Sequence, residues 1–370
     1  IGLLFMGGLI DKLGTKIGYT ISIAIWSIFG MLHAAIRPAF SLIGFMAARF
    51  GLGIGESGNF PAAIKTVAEW FPKRDRAFAT GIFDASTSVG AILAPFIVGA
   101  IVTVEGHNWQ IPFLFTGTLS ALWVFLWWRT YNKPELHPKV TKTELAYINS
   151  DSEPETAERI PWVKTIPRRE TWAFALTTVT DAVWWFYLFW GAKFLFEQFG
   201  VDINNVGLPF LVIFIMADAG SLIGGLASGA LIRKGWSINK ARKITLLVNA
   251  IIILPVSLVP IIASKWLAVF IIGIGAFGHQ SWSINSYTLV PDVFPKKATA
   301  SVIGIGKMVG VVVSIVADLA LGSVLDKAGN SGYFWAFVIA GFSYLAILGF
   351  VHMLMPKMTP LDDNLEYIKK

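Results

Sequence analysis

Arg49 and Glu56 stand seven residues apart in RFGLGIGESGNFPAAIK (49–65), within a largely apolar run from Phe40 to Val67. Seven residues make two helical turns, so a helix puts both side chains on one face, about 10 Å apart along its axis. A charged group at mid-bilayer costs about 2.5–3.5 kcal/mol on insertion scales, so such a face must line a wet cavity or find partners. Arginine stays charged and offers a planar fork that matches a carboxylate. A desolvated glutamate holds its proton more tightly and can change charge during a cycle. Side by side they suit an anion site next to a proton site, or else a static salt-bridge network between helices. Gly51, Gly53 and Gly55 keep the same helix thin enough for close packing or for approach of a ligand.

Composition tells which solvent surrounds that helix. The chain has 370 residues, 55% hydrophobic and 14% charged, with a mean hydropathy of +0.64. A soluble domain carries about 25% charged residues, so this balance points to lipid. Eleven apolar runs follow one another: Ile1–Ile10, Ile17–Ile36, Phe40–Val67, Ala77–Val104, Ile111–Thr130, Thr171–Phe196, Val206–Ile232, Ile244–Ala263, Trp266–Val290, Thr299–Leu325 and Tyr333–Met355. All but the first suffice to cross a ~30 Å hydrocarbon core as a helix; the first reads as the remainder of a truncated span. No run alternates as barrel strands do. The absence of cysteine excludes a disulfide framework and a thiolate metal site. Lys and Arg concentrate in alternate loops, starting at 11–16, and in the C-terminal tail, whereas the opposite loops hold only Arg37, Lys265 and Lys327. The positive-inside rule makes the basic side, and the C-terminus, cytoplasmic. The net charge of +7 is then mostly topology, and no basic soluble domain is present to bind nucleic acid.

The chain repeats itself at an offset of 223: FPKRDRAFATGI (71–82) lies over FPKKATASVIGI (294–305), and GGLIDKLG near Gly7 is related to SGALIRKG near Ser228. Between the repeats runs a polar, charged loop from Tyr131 to Arg169. Its TKTELAYI starts like a capping box, with Thr141 or Thr143 ahead of Glu144, so a short surface helix is expected there.

These features resemble the major facilitator superfamily. GGLIDKLGTK is similar to that family's loop between helices 2 and 3, with Gly8, Asp11, Lys12 and Gly14 in place. The resemblance narrows to the anion:cation symporter family and its bacterial hexuronate (glucuronate or galacturonate) transporters. It is carried by RFGLGIGESGNFPAAIKTVAEWFP, TDAVWWFYLFWGAKFL, ADAGSLIGGLASGALIRKGWS and GHQSWSINSYTLVPDVFP, and it spans essentially the whole chain. It implies an all-α membrane protein with the major facilitator fold of two six-helix bundles. Residues 1–130 would hold helices 2–6, 131–170 a cytoplasmic loop, and 171–370 helices 7–12 and a tail; helix 1 would precede Ile1. The implied activity is proton-coupled uptake of a sugar acid by alternating access, in the bacterial inner membrane, by a monomer. The implied partners are a small organic anion, a proton and membrane lipid, with no cofactor, no metal and no nucleic acid. The chain departs from the pattern at Gly191 and Ala192, at Lys307, and at Asp84, where a neutral amide is expected.

On that frame the remaining polar groups divide into roles. His279 lies 223 residues after Glu56, and with Gln280, Ser283 and Asn285 it offers donors and acceptors to a polyhydroxylated acid. A satisfied core histidine and an interhelical bond from Asn285 are the competing readings. Trp184 and Tyr187, near one face with Asp181, could stack on a pyranose, while Phe186, Leu188 and Phe189 read as packing. Arg49 is the expected carboxylate ligand, with Glu56 and Asp181 as proton-coupling groups. Asp84 and Lys307, again 223 apart and opposite in sign, are expected to bridge as a gate. Asp11 is expected to hold the inward gate by capping a helix start or pairing with Arg74 or Arg76. Lys65 is expected to pair with Glu69, and Asp218 is as well suited to a structural partner as to a site. No phosphate loop, HExxH or nucleophile elbow supports an enzyme. Other readings are a symporter of an aldonate or other carboxylate, a membrane sensor, and an exporter of lipophilic cations, which the charge of Arg49 disfavours.

Overall fold

A computed structural model describes residues 2–37, 41–101, 108–150, 160–201, 207–328 and 330–368. Ile1, Phe40, Val104 and Val206, at which expected spans begin or end, lie outside the described residues. The first part of the chain forms α1 (Gly2–Leu13), α2 (Thr15–Leu32), α3 (Ser41–Glu56), α4 (Asn59–Trp70), α5 (Lys73–Ile101) and α6 (Gln110–Thr130). The connecting loop holds α7 (Lys142–Ile148), whose N-cap Thr141 accepts from the Glu144 amide at 3.2 Å. The second part forms α8 (Arg169–Thr178), α9 (Asp181–Trp185), α10 (Gly191–Phe199), α11 (Gly207–Arg233), α12 (Ile238–Ile253), α13 (Lys265–Val293), α14 (Lys296–Ala328) and α15 (Asn330–Leu354). Seven helices among the described residues are long and apolar enough to cross a membrane: α2, α6 and α11 to α15. The all-helical membrane architecture read from the sequence is the one observed.

Two of the expected spans are broken, for local reasons. The run 40–67 divides at Ser57–Gly58. There the Gly58 amide reaches only the Gly55 carbonyl, 3.2 Å away, and the Ser57 hydroxyl competes for the Ile54 carbonyl at 2.6 Å. Pro61 sits in the first turn of α4, where a missing amide hydrogen costs nothing. In the run 171–196, the hydroxyls of Thr177, Thr178 and Thr180 each bond back to the carbonyl three residues earlier, loosening the ladder between α8 and α9. A π-helical segment, Phe186–Trp190, then joins α9 to α10.

The 223-residue repeat holds in three dimensions. α4 ends at Trp70 and α13 at Val293; α5 starts at Lys73 and α14 at Lys296. In both places a phenylalanine ahead of proline, Phe71 and Phe294, takes an extended backbone and stops the helix. The helices that follow pack across the two parts of the chain through small residues. A Cβ on Gly81 would stand 2.6 Å from the Ser221 carbonyl oxygen, and one on Gly304 would overlap that of Leu3. Thus α5 meets α11 and α14 meets α1 at backbone distance, in two related seams.

Both seams run to the end of the molecule that carries the basic loops. There the tail folds back: the Leu361 amide donates to the Val293 carbonyl at 2.8 Å, Lys297 pairs with Asp363 at 3.2 Å, and Leu361 and Leu365 are buried.

Candidate functional site

The α3 helix presents Leu42, Met46, Arg49, Gly53 and Glu56 on one exposed stripe. Its other side is fixed against α2, where Gly51 meets the Phe29 ring and Gly55 the backbone of Trp26. The Arg49–Glu56 register survives because the helix breaks one residue after Glu56. Neither side chain forms a hydrogen bond or ion pair with a described residue, and a Cβ on Gly53 between them would meet nothing within 4 Å. An arginine and a glutamate thus face open space from an otherwise apolar helix.

In the first turn of α4, Phe60 enters a polar cluster between the two parts of the chain. Its ring lies 5.4 Å from Phe83 and 5.7 Å from Tyr287, and the Lys307 ammonium stands 4.9 Å from its centroid. Lys307 does not bridge to Asp84, as the repeat suggested. It donates to Asp181 at 2.7 Å and to the Tyr287 hydroxyl at 2.9 Å. Asp84 instead accepts from Ser221 and Gln280, both at 2.9 Å. The physical reason is that α5 packs across the seam on α11 and α13, whereas α14 also packs on α8 and α9 of its own part, so the two repeat-related residues belong to different contacts. Asp181 is therefore committed to Lys307, and Gln280 to Asp84.

The other expected ligands are partly sequestered. Trp184 stacks on His279, with centroids 5.5 Å apart and planes 8° from parallel. The His279 Nδ1 contacts the Tyr344 hydroxyl at 2.6 Å, and its Nε2 the Ser283 hydroxyl at 3.4 Å. Tyr187 turns away from Trp184 into the core, its hydroxyl against Gly275, because the π segment displaces it from α-helical register. Asn285 is a tie between helices: its amide donates to the Gly224 carbonyl of α11 at 3.1 Å and to the Ser281 carbonyl at 2.8 Å.

At the basic end, Asp11 accepts from the Ser301 amide at 2.6 Å and the Ala300 amide at 3.3 Å, near the start of α14, and pairs with Lys65 at 2.6 Å. Arg74 and Arg76 are not its partners. Arg76 is buried against the Pro291 carbonyl at 2.6 Å and Asp292 at 3.3 Å; Arg74 lies over Tyr147. Glu69 does not take Lys65 either; it accepts from Thr15 at 2.7 Å and from Tyr131. Burial and the Glu69 carboxylate together push the Tyr131 phenol up. Sequence reasoning missed Asp292, which also receives Arg242 at 2.9 Å in full burial. The signal was present, since Asp292 lies 223 residues after Glu69.

Many apolar spans, two related sets of helices and charges collected along the seam define a multi-pass membrane transporter. The model of the Major Facilitator Superfamily matches residues 1–318, and the chain belongs to that family. It is 29% identical over 350 residues to the "Hexuronate transporter" of Escherichia coli (strain K12), covering 92% of this chain and 79% of the relative. It is 27% identical over 388 residues to the "Probable galactarate/D-glucarate transporter GudP" of Bacillus subtilis (strain 168), covering 98% and 84%. Among solved structures it resembles in fold a point variant of the E. coli fucose:proton symporter FucP, with TM-score 0.70, 15% identity, and 96% and 87% of the two chains covered.

Proposed function

We propose that this protein is a proton-coupled symporter that takes up a sugar acid of the hexuronate kind across the bacterial inner membrane by alternating access. The observation that carries the reading is the unpartnered Arg49–Glu56 pair on the exposed stripe of α3. Sugar-acid transport in the names of the relatives supports it. Arg49 holds the carboxylate in a bidentate fork. Glu56, two turns away, takes the proton. Trp184, backed by His279, offers a flat apolar face to the sugar ring. Residues 1–130 and 171–370 move as two bundles about the seams, and the basic end, with the C-terminus, is cytoplasmic. In the conformation described, Asp11 and Asp292 close that end.

The test is counterflow in proteoliposomes with a panel of labelled hexuronates, aldarates and aldonates. Exchange of a hexuronate is expected; exchange of none of the panel would overturn the substrate class. Arg49→Lys keeps the charge and loses the fork. A charge-assisted hydrogen bond is worth about 1.5–3 kcal/mol, so affinity for the best substrate should fall by about 10- to 100-fold. Unchanged affinity would remove Arg49 from the site.

A further inference from the structure

Asp84 is buried where α5 meets α11 and α13. Its Oδ2 receives two hydrogen bonds, both from the other part of the chain: Ser221 Oγ of α11 and Gln280 Nε2 of α13, each at 2.9 Å. Among the described residues no ion pair reaches it, since Lys307 of α14 is taken by Asp181 of α9. Around Asp84, α11 contributes Asp218, α9 Asp181, α14 Lys307 and α13 Tyr287. His279, also of α13, is stacked behind Trp184. α4 contributes the Phe60 ring, its Lys65 and Glu69 being engaged at the basic end. Arg129 of α6 is in that helix's last turn, toward the loop. Lys307 therefore offsets Asp181, and Asp84, with the Asp218 carboxylate also acting on it from α11, is a buried carboxylate without a paired cation that reaches neutrality only with a proton bound. Buried charge without compensation is costly, and a carboxylate exchanges acceptor for donor at one oxygen when it takes a proton.

We infer that Asp84 is a proton-binding latch between the two bundles: ionised, it gathers Ser221 and Gln280 and holds α5 to the opposite part of the chain; protonated, it releases them. The inference rests on the transporter reading but on no particular substrate, and it assigns the seam a proton site separate from Glu56. Protonation removes the anion's charge, so whichever oxygen takes the proton, the hydrogen bonds from Ser221 and Gln280 lose their charge assistance and weaken. The loss falls on the conformation in which the seam is closed, so proton binding favours its opening.

The experiment exploits the absence of cysteine. Spin labels are placed on Arg129→Cys and Lys234→Cys, exposed positions near the basic end of the two parts. Their distance distribution is followed in nanodiscs without substrate, from about pH 5 to about pH 9. The otherwise unaltered protein is expected to change distribution with pH through a single midpoint. Asp84→Asn should remove that dependence, and Asp84→Glu should keep it with a displaced midpoint. If Asp84→Asn does not fold, Ser221→Ala and Gln280→Ala decide: each deletes a donor to the carboxylate and should move the midpoint by about one pH unit. No pH response in the unaltered protein, the unaltered midpoint in Asp84→Asn, or unmoved midpoints in both donor variants would overturn the latch. A pH response abolished by Asp84→Asn, in a protein that exchanges no sugar acid, would overturn the substrate reading and leave the latch standing.

Discussion

Trp184 lies on His279, and His279 is tied through its two nitrogens to Tyr344 and Ser283. The imidazole thus serves as a backing plate, and its influence on a ligand runs through the indole. His279→Ala leaves a buried cavity and takes one hydrogen-bond partner from the Tyr344 hydroxyl, a loss of about 2–4 kcal/mol that should appear as a lowered melting temperature in detergent. His279→Gln, which can still bond Tyr344, should recover part of it. A melting temperature unchanged in His279→Ala would show that the stack carries no stability. The placement of Arg49 and Glu56 on one exposed face of α3 was legible in the sequence because seven residues make two helical turns. The orientation of Tyr187 and the partners of Asp181, Asp84 and Lys307 were not. Sequence spacing assumes unbroken α-helix, and the π segment at 186–190 and the threonine-loosened turn before Asp181 cancel that assumption. Asn285, read as either ligand or tie, is used as a tie because Gly224 lets α11 come within its reach.

Elements meet here through glycine, and the glycines separate into two kinds. Gly304 faces a carbonyl of α1 at a distance no Cβ tolerates, whereas Gly53 faces nothing within 4 Å. Gly304→Ala should push α14 from α1, lower the melting temperature and disfavour closure of the basic end. Gly53→Ala should leave the fold intact or strengthen α3 by up to about 1 kcal/mol, the helix-propensity gain. Its methyl would nonetheless stand between Arg49 and Glu56, so sugar-acid affinity should fall while the melting temperature holds or rises. Equal affinity in Gly53→Ala would place the ligand elsewhere. The repeat made the helix boundaries at 70–73 and 293–296 readable, because a residue ahead of proline is pushed to an extended backbone, as Phe71 and Phe294 are. The breaks at Ser57–Gly58 and after Thr178 carry weaker signals, hydroxyls competing for carbonyls, and the apolar runs hid them.

Across the whole molecule, the contacts at the basic end include two carboxylates that reach from one part of the chain to the other, Asp11 to α14 and Asp292 to Arg76; on the proposed function they hold that end closed. Asp292→Asn would leave the buried Arg76 and Arg242 without their carboxylate. Breaking a buried pair costs about 3–5 kcal/mol, and here part of that cost falls on the closed state, so the labels at positions 129 and 234 should report a larger open population. An unchanged distribution would make the network a feature of both states. On the proposed coupling, transport adds a second demand on the same equilibrium. A bound anion at Arg49 offsets the positive field beside Glu56, so substrate and proton should bind cooperatively, each raising the affinity of the other by the same factor. Glu56→Gln carries the protonated form's neutrality without its proton. It should bind a sugar acid and exchange it in counterflow, yet fail to concentrate it when a pH gradient is imposed. Both assays belong on the same proteoliposome preparation, so that loss of accumulation is read against exchange that persists. Loss of both would make Glu56 part of the binding site itself. Undiminished accumulation driven by pH would remove Glu56 from coupling and leave the Asp84 seam as the place where the proton acts.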